Sequence, residues 1–287
     1  MATKAKKTEE TSTAVVEKPK TDLSTVVDYG ADAGAGLEGA TADSFAIPFL
    51  GVLQKGSPQV DEASGVAIEG ARAGMLFENV TGRMYPGKTG VLFVPCAYRR
   101  VFLRWGPRGG EGGGFKGELT ADQVAIMRDK GEIKELDGRL YVPLPDGSIN
   151  EKKCDRVSDT RNHYGLIVDA ETGEWVTALL SLTSTQIKKS KMLASILSSR
   201  KVRTPAGMLP APTWASTVRI TTVPESNDKG SWYGVRFETE GELLRPDSDW
   251  YKAGREFNAL VRAGSVQAKY EDTEEGAAAE AGGGGRF

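Results

Sequence analysis

The run from Val91 to Trp105 constrains this chain most. Val91-Leu92-Phe93-Val94 continues past Pro95 into Tyr98 to Trp105, a β-branched and aromatic stretch that favours extended backbone. Pro95 has no backbone N–H, so it demands an edge position or a bulge inside that run. Period-two alternation places Tyr98, Arg100, Phe102 and Arg104 on one face and Arg99, Val101, Leu103 and Trp105 on the other. The first face alternates ring and guanidinium. That suits single-stranded nucleic acid, whose bases stack on aromatic planes while its phosphates meet cations. The competing reading puts Tyr98 and Phe102 in the core and pairs the arginines with nearby acids.

Strand patterns dominate the rest of the middle. Tyr164 to Val168, a turn at Asp169-Ala170-Glu171-Thr172-Gly173, and Trp175 to Leu182 read as one hairpin. Ala215 to Val223 and Trp232 to Glu238 read as another, joined by the polar Pro224 to Gly230. Arg139 to Val142 is a shorter strand. Three helices punctuate these strands. Thr120 with Gln123 makes a capping box for one ending by Gly131, and Thr183 with Gln186 makes a second just before Ile187. The third starts near Asp247 or Ser248, sets Trp250, Phe257, Leu260 and Val261 on one side, and ends by Gly264. The expected class is mainly β with added helices (α+β), a small antiparallel barrel rather than alternating βαβ units.

Both ends differ from this body. Residues 1–44 are rich in Thr, Lys, Glu, Ala and Gly with almost no aromatics, too little apolar surface to offset ordering entropy, and read as a flexible arm. Residues 271–287 form an acidic, Gly-rich tail containing Glu271, Asp272, Glu274 and Glu275 and finishing in Phe287, expected to be disordered. A single domain over 45–270 lies between. The formal charge of −2 divides into −3, +5 and −4 over these three parts. A near-neutral average thus conceals a mildly basic body between acidic ends. The two cysteines, Cys96 and Cys154, follow no secretory pattern, which points to a reducing compartment. The longest apolar run, Val91 to Tyr98, is far short of the roughly 20 residues that span a bilayer.

Further basic features accompany the alternating face. On the second hairpin Tyr233, Val235 and Phe237 share an apolar side, leaving Trp232 and Arg236 opposite. Trp232 then either meets a ligand or folds over a neighbouring element. Between Gln186 and Arg219 there are seven basic residues and no acid, among them Lys188, Lys189 and Lys191 on the second helix. Such a stretch either attracts phosphate in a salt-sensitive way or is a solvated face. The glycine-rich Gly106 to Gly117 fails as a phosphate loop, because no Gly-Lys-Ser or Gly-Lys-Thr opens a helix there. It is either a mobile loop whose Arg108 and Lys116 close over a bound strand or a plain connector. Catalytic patterns are thin: His163 is the sole histidine, no paired CxxC exists, and Asp155, Asp159 and Asp169 sit where turn hydrogen bonding explains them. No metal, cofactor or enzymatic activity is expected.

Ile47 to Gln59, Gly74 to Gly82, Val94 to Tyr98 with the Gly-rich loop, Ser181 to Ser190 and Val223 to Gly234 resemble a family of bacteriophage early proteins, the phage single-stranded-DNA-binding proteins. The resemblance implies an OB-fold and a role in replication and recombination in the cytoplasm of the bacterial host. It also implies an acidic tail with a terminal aromatic that recruits replication proteins or competes for the DNA groove. Gly282 to Arg286 depart from that plan by separating the acids from Phe287 with a positive charge. The expectation is therefore a non-catalytic protein that coats single-stranded DNA, with Tyr98, Phe102 and Trp232 stacking on bases. Arg100, Arg104, Arg236, Lys188, Lys189 and Lys191 would follow the backbone. A virion structural or assembly protein, and an accessory nuclease or recombinase component, are the alternatives.

Overall fold

The computed structural model describes residues 35–40, 44–107, 113–228, 230–266 and 268–270. Most of the arm expected over 1–44, Arg108, and the whole tail from Glu271 lie outside the described residues. The chain divides into Met1–Ala40 and Thr41–Phe287. In the first unit the described part is a turn closed by Ala40 N–H on Leu37 C=O at 2.9 Å. All strands and helices described belong to the second.

Three short strands, β1 (Leu50–Val52), β2 (Leu76–Glu78) and β3 (Met84–Tyr85), make a small antiparallel sheet. A second sheet takes in β4 (Val91–Gly106), β5 (Gly114–Leu119), β6 (Lys134–Leu136), β7 (Arg139–Val142), β8 (Asp155–Val168) and β9 (Trp175–Thr183). After a two-stranded hairpin, β10 (Lys201–Thr204) and β11 (Gly207–Pro210), it is completed by β12 (Thr217–Asn227) and β13 (Gly230–Glu240). Its order is β13-β12-β4-β8-β7-β6, with β5 also on β4 and β9 also on β8. The helices are α1 (Ala121–Asp129), α2 (Ile187–Ser199) and α3 (Asp249–Ala263). The architecture is a curled antiparallel half-barrel, an OB-like α+β arrangement.

Strand β4 runs unbroken through Pro95, and the register to β8 shifts between Pro95 and Ala97. Of the two positions open to a strand proline, the structure uses the bulge. Opposite Pro95 stands Gly165, where a Cβ would lie 2.2 Å from the Phe93 ring and 2.5 Å from the Val94 carbonyl. Beyond Phe93 no β12 residue pairs with β4, and β5 begins only opposite Phe102. Backbone left unpaired between is met from outside the sheet: Cys96 C=O accepts from Asn258 Nδ2 at 2.7 Å and Thr213 Oγ1 at 3.4 Å, while the Arg99 side chain in turn donates to Val261 C=O of α3.

Both faces of the sheet are packed. On one, α3 closes a cluster of Val94, Cys96, Leu103, Leu166, Phe257 and Val261. On the other, Leu193 and Leu197 of α2 cover Phe93, Leu180, Ile220 and Phe237 at one end, while Val124 of α1 covers Phe102 and Val157 at the other.

Local expectations hold in some places and fail in others for identifiable reasons. The Thr120/Gln123 capping box forms, and α3 has Ser248 as its N-cap and left-handed Gly264 as its C-cap. The Thr183/Gln186 box does not form. A 3-10 turn at Ser184–Gln186 intervenes, and the Gln186 side chain is used elsewhere. Pro224 pairs with Tyr233 inside β12 instead of opening the turn, at a point beyond the reach of β4 where a missing N–H costs nothing. Leu260 is exposed, since the buried stripe of α3 runs through Gly254, Phe257 and Val261.

β13 is the end strand of the sheet, and two glutamines occupy its outer edge. Gln54 donates Nε2–H to Tyr233 C=O and accepts Tyr233 N–H on Oε1, each at 2.9 Å, as a neighbouring strand would. Gln186 Oε1 accepts Val235 N–H at 3.1 Å. Because unpaired backbone groups in a half-buried site are costly, Gln54→Ala should lower unfolding free energy by about 1–3 kcal/mol, read from urea denaturation. A change within about 0.3 kcal/mol would show that water replaces the amide without loss.

Candidate nucleic-acid interface

Between the α2-covered and α1-covered clusters, one face of β4 and β8 carries a polar strip. Tyr98 and His163 oppose each other there, as do Arg100 and Arg161, then Phe102 and Asp159. The Tyr98 side is 48% exposed and its ring lies 5.2 Å from that of His163. Arg100 makes a two-pronged contact with Asp159, Nε to Oδ1 at 3.1 Å and Nη2 to Oδ2 at 2.7 Å, and its guanidinium sits 4.9 Å from the Phe102 ring centre. Arg161 is largely buried beneath them. It donates to Tyr98 Oη and to Asp159 Oδ2, both at 2.9 Å. Further along, Asp155 accepts from Arg104 Nε and from Lys116 Nζ, each at 2.7 Å.

An open cleft of about 570 Å³ adjoins this strip, lined among others by Arg100, Arg128, Arg139, Asp159, Ser184 and Ile187. Arg128 pairs with Glu135 at 3.0 Å across its mouth. Beyond Ile187, Lys188 and Lys191 are exposed on α2. Lys189 is not. It pairs with Glu225 at 2.8 Å, and the same carboxylate accepts from Trp232 Nε1 and Gln186 Nε2 at 3.0 Å. Burial opposes ionisation of Glu225, but the Lys189, Gln186 and Trp232 donors outweigh it and hold its carboxyl below the usual range.

Set against the sequence expectations, Tyr98, Arg100, Arg104 and Lys116 lie on one face of the sheet, with the α1-covered Phe102 between Arg100 and Arg104. Lys188 and Lys191 stand beyond its α2 end. Phe102 does not stack on anything outside the protein: at 5% exposure it fills the cluster under α1, since burying a ring gains more than leaving it in water. Trp232 and Lys189 belong to the Glu225 cluster, and Arg236 is exposed on the same side of β13. Lys116 belongs to β5, a strand in place of the expected loop. Asp155 and Asp159 lie inside β8 as partners of arginines, not at turns, while Asp169 does serve its turn by accepting from Glu171 N–H at 2.8 Å. Arg161 was not anticipated. Continuing period two upstream from Tyr164 would have exposed it, because Asp155, Asp159, Arg161 and His163 all fall on one side. Among the described residues no cluster of three or more His, Cys, Asp or Glu side chains forms a metal site, and no helix is long and apolar enough to cross a membrane.

The strip has a titratable partner behind it. His163 is buried, its Nε2 lies 2.8 Å from Ser190 Oγ of α2, and burial first, then the Arg161 charge, push its pKa down to about 4. The unfolded ring titrates near 6.5, so the unfolded chain binds the additional proton between these values. His163 therefore contributes stability that is complete above pH 6.5 and lost as pH falls towards 4, up to about 3 kcal/mol. Denaturation midpoints measured across that window should fall, and His163→Gln should remove this part of the slope. Phe102→Ala should cost about 3–5 kcal/mol, against under about 1 kcal/mol for Tyr98→Ala. Equal losses would contradict the division between core ring and surface ring.

A family model described as Pam3 phage gp34-like protein matches residues 14–267. No curated protein and no solved structure matches the chain. With the match extending over most of its length, the chain belongs to the Pam3 phage gp34-like protein family and is a bacteriophage protein.

Proposed function

We propose that this phage protein binds and coats single-stranded DNA, without catalysis, during phage DNA replication and recombination in the host cell. The observation that carries the reading is the half-exposed Tyr98 ring bonded to Arg161 and neighbouring Arg100, which lines the adjoining open cleft. A base stacked on such a ring gains about 1–3 kcal/mol whatever its identity, and the flanking guanidiniums suit the backbone. Lys188 and Lys191 extend the cationic path along α2. Arg108, outside the described residues, follows β4 in the sequence and would add to it. The acidic tail, with Glu271, Asp272, Glu274, Glu275 and Phe287, recruits replication proteins or occupies the groove when DNA is absent; its −4 charge against +5 on the body supports either role.

Fluorescence anisotropy of labelled oligo(dT) tests this. The logarithm of affinity should fall linearly with the logarithm of salt concentration, by a slope of about 0.7 per phosphate neutralised. Tyr98→Ala should weaken binding about tenfold at constant fold stability. Binding indifferent to salt, or tighter to duplex, would overturn the reading, and abundance in purified particles would favour a virion role. Removing residues 271–287 should tighten binding if the tail competes, and leave it unchanged if recruitment is its sole task.

A further inference from the structure

The polar strip holds four cations on two carboxylates, and the arrangement repeats. Asp159 is shared by Arg100 at 2.7 Å and Arg161 at 2.9 Å, and Asp155 by Arg104 and Lys116, both at 2.7 Å. The two acids stand four residues apart on β8 and on the same face, roughly 13 Å along the strand. Each group therefore carries one net positive charge with a carboxylate already seated in it. Three of the four cations stay open to solvent, the side chains of Arg100, Arg104 and Lys116 being 42%, 35% and 35% exposed, while Arg161 at 12% and Asp155 at 9% lie beneath them. Donors are left over. Arg100 spends Nε and Nη2 on Asp159, and Lys116 spends one of its three N–H bonds on Asp155.

Carboxylate and phosphate oxygens accept from a guanidinium fork in the same way. We propose that Arg100 with Arg161, and Arg104 with Lys116, are two phosphate seats on the DNA path. Asp159 and Asp155 are their internal placeholders, which hold the cations in position and at the same time weaken attachment of the nucleic-acid backbone. This rests on the reading of the strip as a single-stranded-DNA interface. It goes beyond that reading in assigning two acids an opposing role: they set the affinity downwards and keep the seats ordered while empty. The surplus positive charge of each group is what remains for an anion.

The test compares full-length Asp159→Asn and Asp155→Asn with the unaltered chain, by anisotropy with labelled oligo(dT) over a salt series. Each variant should bind about threefold to fivefold tighter, and its salt dependence should steepen by about 0.7 for each cation released to a phosphate. Asp247→Asn is the control. It makes the same charge change at the exposed Arg245 pair, 2.9 Å apart, and should leave binding unaltered. The proposal is overturned if the Asp159 and Asp155 variants bind no tighter than the parent, or if the control tightens equally. Two variants at separate seats keep the test decisive should one fail to fold. A parent that binds no oligo(dT) defeats the functional reading and this proposal together, whereas a parent that binds while both variants are silent defeats the placeholder role alone.

Discussion

Between Pro95 and Ala97, β4 carries one residue more than β8 sets against it. Ahead of that bulge, odd-numbered Val91 and Phe93 face the α2 side and even-numbered Val94 and Cys96 face α3. Past it the parity is reversed: Val101 and Leu103 face α3, and Tyr98, Arg100 and Phe102 turn to the other side. A strand's side chains alternate strictly, so without the bulge the whole second half would invert. Arg100 and Arg104 would then be driven into the α3 core, and Val101 and Leu103 out of it. The cross-strand pairs of the strip on β8, from His163 to Asp159, take their place from this one irregularity.

The strip is polar because two apolar patches on its face stop short of each other. α2 covers one end and α1 the other, and neither reaches the Arg100–Arg161 pair. Charges in such a gap are half desolvated, where an unpaired guanidinium is expensive and a paired one contributes little net stability. Shared carboxylates resolve the difficulty without neutralising the surface. The Ser184–Gln186 turn also joins the strip to the Glu225 cluster, since Ser184 lines the cleft while Gln186 bonds Glu225 and Val235.

What could be read from the chain follows from how local each signal is. Alternation within Tyr98 to Trp105 is set by neighbours two residues away, and the face it defines is the face observed. Thr120/Gln123 and Ser248 succeed as caps for the same reason. Which rings on that face are wet is a tertiary matter. Phe102 and Tyr98 look alike along the strand and differ only because α1 lies over one. The polar half of β8 was hidden by its own composition: Asp155, Arg156, Ser158, Asp159, Arg161 and Asn162 imitate a loop, and only pairing to β4, β7 and β9 makes them strand. Gln186 satisfied a capping pattern that the strand edge 49 residues onward claimed instead.

The glutamines on β13 also bear on how copies of this protein can meet. An open strand edge is a template, and at high local concentration it recruits whatever extended segment it encounters. Here Gln54 fills both backbone positions of Tyr233 and Gln186 one of Val235, so sheet extension at that point first requires breaking intramolecular bonds. Molecules crowded together would therefore keep their sheets separate at that point. Two side-chain amides, from distant parts of the sequence, thus do at this edge what a further strand would otherwise do.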